Sequence, residues 1–280
     1  MLAVALGLGA AVAWGCADFL GGLKARRLDL LTVMFVSQGA GLIAIVAVVA
    51  ARGDGPPGGD FALFAALSAV AGVVGLASFY RGLAVGAMSV VAPISAMAAA
   101  IPFTVGIATG DRPSGLQVAG AGLALAGVAF ASREEVEEAG RDARMARGVG
   151  LALLSAVGFG SFFLAIDVAS DADVFWSILV NRMTAVAILA VAVVAVRPRL
   201  GVGSADLRGL VLIGALDITA NSLFATASTE GLVSVVSVLA SLYPVVVIVL
   251  ARGLLRERVQ RLQLAGAFGA LAGVALITAG

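Results

Sequence analysis

The chain has 280 residues, of which 61% are hydrophobic and 12% charged, and its 18 Lys and Arg balance 17 Asp and Glu to a net charge of +1. A soluble domain carries roughly 25% charged residues and must cover itself with polar atoms, so this composition excludes a soluble enzyme, a disordered chain and a nucleic-acid binder. It leaves a polytopic membrane protein in contact with a lipid bilayer. Apolar runs long enough to span a bilayer are expected at 2–22, 30–51, 61–82, 88–109, 115–132, 148–168, 174–196, 208–229, 232–252 and 260–279. Ten helices of ~20 residues leave only short turns between them. The alternating pattern of a transmembrane barrel is absent, so the expected class is all-α. The N-terminus lacks a basic segment ahead of its apolar run, and Lys24, Arg26 and Arg27 follow it, so it reads as a retained first span.

Ser132 to Arg147, SREEVEEAGRDARMAR, is the longest polar stretch and lies at the centre of the chain. Ser132 and Glu135 fit a capping box. It divides the sequence into a first repeat at 1–132, a charged linker at 133–147 and a second repeat at 148–280. The two flanks match in several places. Ala11-Val12-Ala13-Trp14-Gly15 recurs as Ala156-Val157-Gly158-Phe159-Gly160, and Ser89-Val90-Val91 as Ser234-Val235-Val236. Asp111-Arg112 with Gln117, Gly120 and Gly127 recurs as Glu257-Arg258 with Gln263, Gly266 and Gly273. Five spans per half is an odd number, so the second copy enters the membrane from the opposite face. That is an inverted repeat, an architecture common in secondary transporters.

The sequence resembles the EamA type of the drug/metabolite transporter superfamily. The resemblance rests on Trp14-Gly15-Cys16-Ala17-Asp18-Phe19 in the first span, and on Ser241-Leu242-Tyr243-Pro244, Glu257-Arg258, Gln263 and Gly266 near the end. The first half departs from it: Asp111-Arg112-Pro113 replaces Glu-Arg, and the Tyr-Pro pair is missing. The resemblance implies ten helices in two inverted repeats, a solute path between them, and export of small metabolites or drugs by alternating access.

Charge placement sets the expected orientation. Lys24, Arg26, Arg27, Arg133, Arg141, Arg144, Arg147, Arg197, Arg199, Arg208, Arg252, Arg256, Arg258 and Arg261 fall on one side, and Arg52 and Arg112 on the other. The rich side should be cytoplasmic, which puts both termini outside the plasma (inner) membrane.

Charges within spans are costly and mark paths or pairs. Asp217 lies ~13 Å from the inner end of its span, with Asn221 one turn on and Ser228 two turns beyond on the same face. Arg182, beside Asn181, lies ~12 Å from the outer end of its own span, within a side chain's reach of that height. A carboxylate there is held by a cation, which Arg182 or a solute amine supplies, or by a proton, which leaves proton coupling open. Trp14 and Tyr243 fall near mid-membrane and suit either a cavity lining or plain packing, whereas Tyr80 and Trp176 fit the interfacial belt. Asp18 and Arg81 share a depth near the cytoplasmic edge and form a candidate gate. Asp167 and Glu230 read as solvated end residues. Pro93, Pro102 and Pro244 predict kinks, and Gly120, Gly127, Gly266, Gly269 and Gly273 predict close helix packing within each repeat.

No His, no HExxH and no GxxxxGK[ST] occur, so no catalytic residue, metal site or cofactor is expected. The alternatives to a carrier are an intramembrane enzyme and a channel. Its partner is a small-molecule solute, and the chain is a monomer or homodimer.

Overall fold

The computed structural model describes every residue except 26, 86–93, 96, 132–140, 199–200 and 256–260, and leaves aside a further few side chains, among them those of 82–85, 141–147 and 263. The chain forms ten helices. They are α1 Leu2–Ala25, α2 Leu30–Arg52, α3 Phe61–Val85, α4 Ala100–Thr109 with a 3-10 turn Met97–Ala99 before it, and α5 Gly115–Ala131. The second set is α6 Arg141–Ser170, α7 Val174–Val196, α8 Ser204–Thr229, α9 in two pieces Val233–Ala240 and Tyr243–Leu255, and α10 Arg261–Ala279. Six of them are long and apolar enough to cross a membrane (α6 from Gly148), and shorter apolar helices make up the rest. Two five-helix inverted repeats account for the architecture.

Two sequence expectations are corrected here. The span expected at 232–252 is broken at Ser241–Leu242. Pro244 has no N–H to continue the first piece and suits the first turn of the second. The charged stretch at 133–147 runs into α6, which starts at Arg141. The glycine faces pack between the repeats, not within them. Gly120 and Gly127 of α5 meet Gly266, Ala270 and Gly273 of α10 backbone to backbone, and a Cβ on Gly120 would lie 2.6 Å from the Gly273 carbonyl oxygen. Pro93, the Ser132–Glu135 capping box, Ser89 to Val91 and Glu257-Arg258 lie outside the described residues.

This interleaving is general. The most extensive helix pairings join one repeat to the other: α3 with α6, α5 with α10, α1 with α8 and α9, α2 with α7 and α8, and α3 with α7. Small residues set several of them. A Cβ on Gly158 would lie 2.6 Å from the Gly75 Cα, so α3 and α6 touch through their backbones. The repeated Trp14-Gly15 and Phe159-Gly160 motifs share a second role. Gly15 seats α1 against the Tyr243 carbonyl oxygen, where a Cβ would lie 2.8 Å away, and Gly160 seats α6 against the Ala98 carbonyl oxygen, 2.7 Å away. Each motif thus holds its helix against the irregular part of α9 or of the span containing α4.

Candidate functional site

Those irregular segments border a cavity of about 870 Å³ of empty space, part of it continuous with the exterior. Trp14 and Asp18 of α1, Met34 and Gln38 of α2, Arg182, Ala185 and Leu189 of α7, and Asp217 and Asn221 of α8 line it. Ser95 and Ala98 before α4, Phe159, Phe162 and Phe163 of α6, and Ser241 and Tyr243 of α9 complete most of the wall.

The polar centre is an ion pair. Arg182 donates from Nη2 to Asp217 Oδ2 at 2.8 Å, and the Arg182 side chain is 3% exposed against 22% for Asp217. Gln38 Nε2 donates to the same oxygen at 3.4 Å. Gln38 and Arg182 stand 144 positions apart, at equivalent places in α2 and α7, so each repeat offers one donor to one carboxylate. Close approach of α2 and α8 makes this reach possible. A Cβ at Gly41 would lie 3.3 Å from the Gly214 carbonyl oxygen and 3.7 Å from Arg182 Nε, and one at Gly214 would strike the Ser37 carbonyl oxygen. Arg182 Nε and Ser95 Oγ are buried with no hydrogen-bond partner among the described residues.

Asn221 lines the same wall, but its amide donates to the Asp217 carbonyl oxygen of its own helix at 2.7 Å. Asn181 donates to Ser68 Oγ at 2.7 Å, both groups buried. Trp14 both packs and lines: its ring lies 5.8 Å from those of Phe163 and Phe224 while it faces the cavity. Tyr243 lines the wall beside the break in α9.

Asp18 has a different partner from the one its depth suggested. Tyr80 of α3 lies beside it, close enough to act on its carboxylate, and the Tyr80 hydroxyl sits where a Cβ on Gly21 of α1 would come within 3.3 Å. Tyr80 therefore turns inward and is not a belt residue. Arg81, next in the chain, is exposed, and no ion pair joins it to Asp18 here. Among the described residues Asp18 has no cationic partner. Asp167 is half-buried, so it is not a freely solvated end residue; the nearby Ser228 hydroxyl donates to the Ala225 carbonyl oxygen of its own helix. Ser228 lies with it, away from the cavity, and Glu230 is exposed.

Sequence reasoning missed Gln38, Tyr80 and the contact at the far end of α2. There Arg52 donates to both carboxylate oxygens of Asp173, at 3.0 and 2.8 Å, and pairs with Asp54 at 3.2 Å. The Arg52 guanidinium also lies 4.9 Å from the centre of the Phe175 ring. Its hydrogen bonds hold the Asp173 carboxyl below the usual carboxylate range.

Two interleaved inverted repeats around a polar-centred cavity define a multi-pass membrane protein with the architecture of a solute carrier. The family model described as the EamA-like transporter family matches residues 1–133 and 146–279, and the chain belongs to that family, which is one of transporters. A solved structure described only as a crystal structure of a protein matches it with a TM-score of 0.83, 16% identity, and coverage of 99% of this chain and 96% of the other. That likeness concerns the fold. No curated protein matches the sequence.

Proposed function

We propose that the chain is a secondary transporter, working as an exporter of small organic metabolites or drugs by alternating access. The observation that carries this reading is the Arg182–Asp217 pair, set in a cavity wall to which both repeats contribute. Asp217, Asn221, Arg182, Trp14 and Tyr243 form the solute path in this reading. The described charges of the wall are Asp18, Asp217 and Arg182, one negative charge in excess, which favours a solute bearing an amine. Such an amine competes with Arg182 for Asp217, and protonation of Asp217 accomplishes the same release. The aromatic wall of Trp14, Phe159, Phe162 and Phe163 suits the solute's apolar part. Asp18 and Arg81 act as a gate whose contact belongs to another transport state, with Tyr80 holding Asp18 meanwhile. The repeat boundaries at 1–132 and 148–280, the plasma (inner) membrane location and the extracytoplasmic termini complete the reading.

Flux into proteoliposomes tests it. Saturable, solute-dependent exchange is the expected result, and Asp217→Asn should abolish concentrative transport while leaving the protein inserted. Non-saturating conductance would point to a channel and chemical conversion of the solute to an enzyme. Wild-type transport by Asp217→Asn would refute the central site.

A further inference from the structure

The contact between Arg52 and Asp173 has a counterpart at the opposite end of the same two helices. Helices α2 and α7 are both 23 residues long, and each starts on an aspartate N-cap, Asp29 and Asp173. The side chains accept from the Leu31 and Trp176 backbone N–H groups. Each helix ends on a left-handed residue whose N–H caps the last turn, Gly53 at φ 71 and Arg197 at φ 53. The helices run antiparallel and pack together. Asp173 therefore meets the end of α2, and Asp29 lies on the side of the molecule where α7 ends, where Leu28 and Val202, a few residues past α7, pack in one apolar cluster. At the first junction Arg52 grips Asp173. At the second, Asp29 and Arg197 are both exposed and no ion pair joins them.

Arg197 stands out for a second reason. It is the one non-glycine residue with a positive φ among the described residues. The backbone at that position suits glycine, as Gly53 in the other repeat illustrates, yet an arginine occupies it. A strained backbone that keeps a long cation in place calls for a use of the cation.

The packing between the helices differs between their two ends in the same sense. Near Arg52 and Asp173, Ile45, Val49, Ile178 and Leu179 are buried in one apolar cluster. Toward Asp29 and Arg197, Met34 and Gln38 of α2 and Ala185 and Leu189 of α7 line the cavity instead. The helices share the apolar cluster at the end where the ion pair is made, and border the cavity toward the end where it is not. Lys24 and Asp206, paired at 2.7 Å, also lie near that open end, but they tie α1 to α8 and leave α2 and α7 free of each other.

We propose that Asp29 and Arg197 form the second of two exchangeable latches, made when the Arg52–Asp173 latch opens. This rests on the alternating-access reading above. In an inverted-repeat carrier each repeat adopts in one state the arrangement its partner has in the other, so the contact of Arg52 with the cap of α7 becomes a contact of Arg197 with the cap of α2. The two latches bias opposite states of one equilibrium, and neither touches the solute.

Distances between spin labels test this on the full chain in liposomes, with Cys16→Ser as background. One label pair, Arg27→Cys with Val196→Cys, reports the open end. The other, Ala51→Cys with Ala172→Cys, reports the closed end. All four positions are exposed. Two populations are expected, in which one pair is short when the other is long. Asp29→Asn keeps an N-cap acceptor and removes the charge. It should deplete the state that is short at 27–196 by about two- to fivefold, the scale of one partly exposed ion pair. Arg197→Ala should do the same, and Asp173→Asn should deplete the opposite state. If both states exist but neither Asp29→Asn nor Arg197→Ala shifts them, or if both pairs are short together, the latch is overturned and the transporter reading stands. A single population together with no flux in proteoliposomes would overturn both.

Discussion

Breaking the Arg182–Asp217 pair from its two sides should cost unequal amounts, because its members are unequally buried. Arg182 is 3% exposed and Asp217 22% exposed. Asp217→Leu leaves the guanidinium with no acceptor in a sealed position, a loss of about 3–5 kcal/mol for one partner of a buried pair. Arg182→Met leaves a carboxylate on the cavity wall, where water reaches it and Gln38 still donates, so roughly half that loss, ~1.5–2.5 kcal/mol, is expected. The unequal burial therefore ranks loss of the carboxylate as the more damaging change for stability. Replacing both residues leaves no stranded charge, so the double variant should be less destabilised than the sum of the singles by about 2–3 kcal/mol. Reversible unfolding in mixed detergent micelles, followed by the fluorescence of Trp14 and Trp176, measures all four proteins. Additivity within about 0.5 kcal/mol would show that the pair does not act as a unit. A larger loss from Arg182→Met than from Asp217→Leu would refute the burial argument.

Substituting Val for Gly273 drives a side chain into the Gly120 carbonyl and the Ala124 backbone, and should cost about 3 kcal/mol or more; Gly122→Val, with nothing within 4 Å, should leave the melting temperature nearly unchanged. Tyr80→Phe removes the hydroxyl beside the Asp18 carboxylate and should lower transport roughly tenfold, the scale of one polar contact to a charged group, whereas Arg81→Ala should be milder in this state, and equal effects would argue against the Tyr80 assignment. An impermeant thiol reagent should fail to label Gly140→Cys from outside intact cells, and free labelling would reverse the orientation. Asp173 titrates below its ordinary value in the closed latch, so the stabilisation it gives is complete above about pH 4 and is lost as the pH falls through the lowered value; acidification should open the 51–172 label pair, and Asp173→Asn should abolish that response.

The span count could be read from the chain because each crossing demands some twenty apolar residues, and no packing detail can remove that demand. The break in α9 was visible only as Pro244. Gly15 of α1 packs at the Tyr243 carbonyl just past the break, a contact across more than two hundred residues that no local pattern announces. The glycine series announced close contact but not with whom, since a small-residue face fits any other small-residue face. Asp217 and Arg182 were conspicuous because an isolated charge in an apolar run needs a partner. Gln38 carries no charge, and only its equivalence to Arg182 between the repeats could have singled it out. Tyr80 was misassigned because position along a helix gives depth and leaves open which way the side chain points. Arg52 and Asp173 sit at helix ends, where charges are expected, and nothing local links two residues 121 positions apart.

The interleaving of the repeats has a consequence for how the protein is made. Helices α1 to α5 leave the ribosome first, yet the faces of α3 and α5 that touch through bare backbone find their partners only in α6 and α10. At translation rates of about 5–20 residues per second, the second repeat takes roughly seven to thirty seconds to follow. During that interval the glycine faces meet lipid or the insertion machinery, and the carboxyl-lined cavity does not yet exist. The first half is thus a waiting template, not a folded domain. The contact of the last helix, α10, with α5 is the last to form, and it lies apart from the cavity, whose described wall takes no residue from either helix.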